Sequence, residues 1–303
     1  MNKRLIVNLG LVYVIWGSTY LAIALAVKEM PPLIAMGTRF IFAALIMGAW
    51  LTIKNGVHSL AITKEQFFNV FVMGGLLLGG ANGSVAAAER YAPSGIVAIL
   101  ISLLPVWILI MRTMSGDRPS RWGFLGVAIG LLGVFVLLKP GSIIPLENVS
   151  EGTMIWWCFV ALMGNLGWAL GSFLAPKFSM PTSSYVATFY QLLAGGIILV
   201  AIASMTGESF SDWRQASATA WWSWLYLALI GSIVAYSAYF WLVRNAPIGL
   251  TSTYAYINPV IAIIFGVIFL GETVNANYIF GGGVVLLGVL LVVTSESKRV
   301  KRS

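Results

Sequence analysis

The chain has 303 residues, 59% of them hydrophobic and only 9% charged, with a net charge of +8, whereas soluble globular proteins carry about 25% charged residues. With a mean hydropathy of +0.90, this composition excludes a soluble domain and predicts an integral membrane protein. The single cysteine, Cys158, excludes an intramolecular disulfide and gives no sign of an oxidising compartment.

A membrane-crossing helix needs about 20 mostly apolar residues. Ten runs of that kind follow in chain order: Leu5 to Val27, Pro32 to Ile53, Phe67 to Ala88, Ser94 to Met114, Trp122 to Leu138, Thr153 to Ala175, Ser183 to Met205, Ala220 to Val243, Ile248 to Leu270 and Tyr278 to Thr294. They are long and lack period-two alternation, so they predict helices rather than barrel strands. The first is as long as a full span and lacks a convincing small-residue cleavage site before Lys28, which argues against a signal peptide. Short connectors carry the breakers Pro31-Pro32, Tyr91-Ala92-Pro93, Lys139-Pro140-Gly141, Met180-Pro181 and Ala246-Pro247,.

Charge sets the expected orientation. With the N-terminus inside, cytoplasmic segments hold 13 of the 18 basic residues, outer segments hold Lys28, Arg90, Lys139 and Arg214, and Arg39 alone lies within a span. The positive-inside rule then places both termini in the cytoplasm, and the positive charge needs no nucleic-acid partner.

The chain repeats itself. Arg90, Ala92, Pro93, Gly95 and Pro105 recur as Arg244, Ala246, Pro247, Gly249 and Pro259, 154 residues later, and Gly116-Asp117 recurs as Gly271-Glu272. Such periodicity indicates two copies of one unit, residues 1–148 and 149–303. Five helices per unit is an odd number, so the second unit enters the membrane from the opposite side. The predicted fold is an all-α polytopic membrane protein of two inverted five-helix repeats, a plan associated with alternating access around a midplane site.

Polar and aromatic residues at helical spacing mark the faces turned inward. Trp16, Thr19 and Tyr20 share a face of the first helix, and Asn165, Trp168 and Ser172 share one of the sixth. Ser232, Tyr236 and Tyr239 do so in the eighth, and Thr251, Tyr254 and Asn258 in the ninth. Together with Asn82 these residues are candidates for lining a substrate cavity between the halves. The competing account is that they only link helices or form interfacial belts.

Pro105 and Pro259 fall about 11 residues into their helices, near mid-bilayer at ~1.5 Å per residue. Each frees the carbonyl four residues earlier, Ile101 or Ala255, so both are candidate hinges. Arg39, a charge at membrane depth, has three possible roles. It binds a substrate carboxylate, pairs with Glu89 at the end of the third helix, or snorkels to headgroups. Gly75, Gly79 and Gly83, and Gly126 and Gly130, give the small-xxx-small spacing of close helix packing.

Trp16-Gly17-Ser18-Thr19-Tyr20, Pro31-Pro32, Gly37-Thr38-Arg39-Phe40, Asn82-Gly83, Ala92-Pro93-Ser94-Gly95, Asn258-Pro259 and Gly271-Glu272 resemble the EamA family of the drug/metabolite transporter superfamily. The resemblance covers nearly the whole chain as two EamA-type repeats. It implies a ten-helix bacterial inner-membrane transporter, usually an exporter of amino acids, other metabolites or toxic compounds.

There is no Gly-Lys-Ser/Thr phosphate loop for ATP hydrolysis. The one histidine, His58, lies in a loop, and no Cys/His cluster offers a metal site. No Asp or Glu lies deep in a helix; Glu89 and Glu272 sit at helix ends. An enzyme would need paired acids or a nucleophile with a base inside the bundle. The expectation is therefore a cofactor-free secondary transporter, working as a monomer in the lipid bilayer on a small organic metabolite. Amino acid export comes first. Efflux of aromatic or cationic toxic compounds, or flipping of a lipid or lipid-linked sugar, is the alternative.

Overall fold

The computed structural model describes residues 3–116, 120–139, 141–246, 251 and 253–300. Asp117, Arg118, Pro140, Pro247, Ile248, Gly249, Lys301 and Arg302 lie outside the described residues. Long apolar runs fold as helices because the bilayer leaves no other partner for backbone N–H and C=O groups. The helices are α1 (Lys3–Val27), α2 (Pro32–Asn55), α3 (Lys64–Glu89), α4 (Ser94–Met114), α5 (Arg121–Leu137), α6 (Glu151–Leu174), α7 (Ser184–Thr206), α8 (Ala218–Asn245), α9 (Tyr254–Leu270) and α10 (Ala276–Val300). No strand occurs among the described residues. Eight of the helices are long and apolar enough to cross a membrane; Arg121–Leu137 and Ile257–Leu270 are shorter apolar segments.

The burial pattern suits lipid as solvent. Val14, Leu45, Phe135 and Ile268 are each more than half exposed, while Arg39, Glu89, Asn165, Gln191 and Asn258 are buried. Polar groups cost most where hydrocarbon surrounds them, so they gather inside.

Equivalent helices of the two halves pack against each other: α2 on α7, α4 on α9 and α5 on α10. The seams are antiparallel and close. A methyl group on Gly126 would lie 2.8 Å from the Gly288 carbonyl oxygen and 2.9 Å from Val292, and one on Gly281 would lie 3.1 Å from Leu137. In the α2–α7 seam the matching contacts are Gly37 with Val200 and Gly48 with Phe189. In lipid, such backbone approach replaces the hydrophobic effect as the force between helices.

Two departures from regular helix occupy equivalent places. Gly75–Asn82 in α3 and Leu227–Ala235 in α8 wind as π-helix, which widens the turn and disturbs the backbone ladder. The two prolines differ. Around Pro105 the helix breaks at Ser102 and Leu103 and restarts at Leu104, whereas Pro259 lies within a continuous α9. The Ile101 carbonyl freed by Pro105 accepts from Asn165 Nδ2 at 3.0 Å. The opposite half thus satisfies the backbone at the break.

The end where α1 begins is here the near end, and the end where α1 turns into α2 the far end. At the far end three carboxylates reach across to helix N-termini of the other half. Glu208 accepts from Leu33 N and Ile34 N at 3.2 and 2.9 Å. Glu272 accepts from Ser94 N and Oγ, both at 2.7 Å. Glu29 accepts from Ser217 N and Oγ at 2.6 and 2.8 Å, and these bonds hold its carboxyl below the usual carboxylate range. Each joins an anion to the positive end of a helix dipole. Tyr91 stacks on Trp157 with ring centroids 5.2 Å apart, closing the far end further. Across the near end the bonds are neutral: Asn69 Nδ2 to the Ser179 carbonyl at 3.0 Å and Tyr190 OH to the Leu60 carbonyl at 2.8 Å.

Candidate functional site

A cavity of about 80 Å³ lies between the halves. Trp16, Thr19, Tyr20, Asn82, Trp168, Tyr236, Tyr254 and Asn258 all border it, as does Arg39. Tyr239 does not; it stands behind the wall, where its hydroxyl meets Trp168 Nε1 at 3.2 Å and Ser172 Oγ at 3.0 Å. Glu89, Pro105 and Pro259 also lie off the wall.

Four helices build an aromatic box. Trp16 of α1 and Trp168 of α6 occupy equivalent positions and meet edge to face, with centroids 5.5 Å apart. Tyr254 packs edge-on to Trp16 at 5.2 Å, Tyr239 lies 4.8 Å from Trp16, and Tyr236 stands edge-on to Trp168 at 6.3 Å. Each such pair contributes roughly 0.5–1.5 kcal/mol beyond its buried area, so the box holds its shape when empty.

Arg39 supplies the charge. It is 4% exposed, which excludes snorkelling to the headgroups, and its Nη2 donates to Asn82 Oδ1 at 2.6 Å. The direct pair with Glu89 expected as one option does not form, since neither buried Glu89 oxygen makes a hydrogen bond of full geometry. Glu89 is seven residues beyond Asn82 along α3, about 10 Å at helical rise, and Asn82 is the group level with the guanidinium. Arg39 Nε remains unpartnered. Among the described residues Arg39 is the charged group that borders the cavity, and no carboxylate does.

The second half repeats this bond without the charge. Gln191 stands where Arg39 does, 152 residues on, and Tyr236 where Asn82 does, 154 residues on. Tyr236 OH donates to Gln191 Oε1. Sequence reasoning picked out neither Gln191 nor the π-helical turns that place Asn82, Ser232 and Tyr236 on the wall. The 152-residue offset that relates Trp16 to Trp168, applied to Arg39, would have found Gln191. The Gly79-Gly80 and Gly231-Ser232 pairs were the available hint of irregular helix.

A second hollow, a cleft of about 890 Å³, opens at the near end among α1, α2, α7 and α8, with Asn8, Trp50, Tyr185 and Trp241 on its walls. Along α8 it begins at Ile233, next to Ser232 of the cavity wall. No group of His, Cys, Asp and Glu among the described residues could hold a metal ion.

Comparison with known proteins agrees with this architecture. The EamA-like transporter family model matches residues 5–139 and 155–294. YedA of Escherichia coli K12, described as an uncharacterized inner membrane transporter, is 34% identical over 281 residues, 92% of this chain and 87% of its own length. An uncharacterized transporter of Archaeoglobus fulgidus is 25% identical over 98% of this chain and 99% of its own. A solved crystal structure shares the fold with a TM-score of 0.68 at 16% identity, covering 99% of both chains. The chain spans the membrane several times and belongs to the EamA-like transporter family, whose members are transporters.

Proposed function

We propose that this transporter is a secondary exporter of small organic metabolites, amino acids foremost, working by alternating access in the bacterial inner membrane. Both termini face the cytoplasm, so the near end is the inner end and the far end the outer. Ten spans form two inverted repeats, residues 1–148 and 149–303. The antiparallel register of the equivalent helix pairs and the 13-to-4 bias of basic residues support this arrangement. YedA's description as an inner membrane transporter supports the location. The cavity lies within one chain, so the monomer suffices.

The substrate class rests on the Arg39 guanidinium with its free Nε, buried on a wall otherwise dominated by aromatic rings. A carboxylate suits a guanidinium fork, and the rings receive an apolar or aromatic remainder. A cationic toxic compound would meet Arg39 without a compensating acid, which places cation efflux second despite the rings. The far end is closed and the cleft lies at the near end, a conformation suited to loading from the cytoplasm.

The test is untargeted mass spectrometry of medium and cell extract from bacteria overproducing the chain. The control carries Trp16→Ala with Asn258→Ala at equal membrane abundance. Selective enrichment of a few carboxylate-bearing compounds in the medium by the parent alone is the expected result. Identical media would reject export of endogenous metabolites, and enrichment of cations alone would overturn the role given to Arg39.

A further inference from the structure

Glu89 is the acid the transport account has not used. It is 3% exposed, and neither buried carboxylate oxygen makes a hydrogen bond of full geometry, although the Ala24 backbone N–H bears on it. An ionised carboxylate is rarely left in that condition, because a buried charge without donors is strongly destabilised and the group takes a proton instead. Arg39, the nearest basic side chain, bonds Asn82 through Nη2 and makes no hydrogen bond to Glu89.

The helices packed on this end of α3 are α1, α2, α4 and α6. Their charged or titratable groups are Tyr20 on α1, Arg39 on α2, and Cys158 and Glu151 on α6; α4 carries none at this end, and Arg90 next in sequence is exposed. Glu272, after α9, is tied to the α4 N-terminus. Tyr20, Arg39 and Glu272 all act electrostatically on Glu89.

Position gives the acid its use. Asn82, Val85 and Glu89 lie at i, i+3 and i+7 along α3; the first two border the cavity, and Glu89 stands beyond them at the closed far end. Two residues later Tyr91 stacks on Trp157 across the gap between the halves. Opening the far end would expose Glu89 to water, and closing it buries the side chain again.

We propose that Glu89 is a proton-binding site that ties closure of the far end to pH. Closure takes one proton: a hydronium ion from the far side gives a carboxylic acid on Glu89 and one water, with no redox change. Opening reverses the step. At the equivalent position the second half carries Val243, so the near end lacks this site. The proposal rests on the alternating-access role proposed above.

The test needs only protons as ligand. Full-length protein in lipid nanodiscs carries a bimane on Trp157→Cys in a Cys158→Ala background, and Tyr91 quenches the bimane on contact. Signals are normalised to the same protein with Tyr91→Phe. Between about pH 5.5 and about pH 8, above the range of ordinary exposed carboxylates, quenching should fall with rising pH. The open-to-closed ratio should gain at most ~10-fold per pH unit, the limit for one proton. Glu89→Gln, a permanent neutral mimic, should stay quenched throughout. Glu89→Asp, which keeps an acid, and Glu272→Gln should retain the response. A flat response in the parent, an unchanged response in Glu89→Gln, or its loss in Glu272→Gln would each overturn the assignment. If Glu89→Gln does not fold, Glu89→Asp decides: its response should persist with a midpoint moved from the parent's, and an unchanged midpoint would overturn the assignment. Export by the parent with a pH-independent far end would reject the proton site alone. Absence of export would reject the transport role instead.

Discussion

In the first half Arg39 donates to Asn82 on the cavity wall; at the equivalent positions of the second half Tyr236 donates to Gln191. The geometry is retained and the charge is not. Seven residues further along, Glu89 in α3 has Val243 in α8 as its counterpart. The two ends differ as well: between the halves, carboxylates meet helix N-termini at the far end, and the near end has neutral bonds from Asn69 and Tyr190. The fold therefore requires a bond between the second and third helices of each half, not a charge. Under the proposed function, Arg39 and Glu89 of the first half are the groups that set substrate polarity and gating.

The most damaging change to that comparison is one that parts the halves. Gly288 has no room for a side chain, since a methyl group there would lie 2.7 Å from the Gly126 carbonyl oxygen and 2.6 Å from Gly130 Cα. Gly288→Leu should abolish the stable monomer in detergent, seen as loss of the monodisperse peak on size-exclusion chromatography. A methyl group on Gly79 would lie 3.1 Å from Ile198 Cγ2 and 3.8 Å from the Gly74 carbonyl oxygen, a looser fit than at Gly288, and Gly79→Ala should destabilise by about 1 kcal/mol. Arg39→Gln makes the two halves alike. Losing a charged hydrogen bond worth about 1.5–3 kcal/mol should slow export of a carboxylate substrate roughly 10–100-fold at equal membrane abundance. Gln191→Met removes a neutral bond of ~1 kcal/mol and should cost less than ~10-fold in the same assay.

Smaller effects separate the ends. Glu208→Gln weakens a charge-assisted cap by about 1 kcal/mol, so labelling of Val85→Cys by an impermeant maleimide from the far side should rise about 5-fold. Asn69→Ala at the near end should leave that rate within ~2-fold. The last effect is in pH. The Ser217 bonds depress the Glu29 carboxyl, so their stabilisation is complete above the ordinary carboxylate range and fades as pH falls through the lowered value. Melting temperature should therefore fall more steeply in acid for the parent than for Glu29→Gln.

Much of this was legible in the chain itself. Apolar length located the helices, the 154-residue offset announced two copies, and helical spacing brought Trp16, Trp168, Tyr254 and Asn258 to one wall. Such features depend on one segment at a time. What escaped depends on which helix packs beside which. Arg39 bonds Asn82 rather than Glu89 because α2 and α3 meet in a particular register. Glu29 and Glu208 look like ordinary loop acids until the opposite half brings them a helix N-terminus. Tyr239 sits on the predicted face yet points behind the wall, because Trp16 and Trp168 occupy the front. The π-helical turns have no periodic signature, and only the Gly79-Gly80 and Gly231-Ser232 pairs hint at the widened turns beside the cavity.

The central claim is that the two ends open alternately around the cavity. Its most direct test is to lock the far end. Cysteines at Tyr91 and Trp157, whose rings stack at 5.2 Å, would be joined by a short bis-maleimide in a Cys158→Ala background. Export of the compound identified by mass spectrometry would then be measured. Export should stop in the crosslinked protein and persist in each single-cysteine control treated alike. Undiminished export with the far end locked would contradict the account.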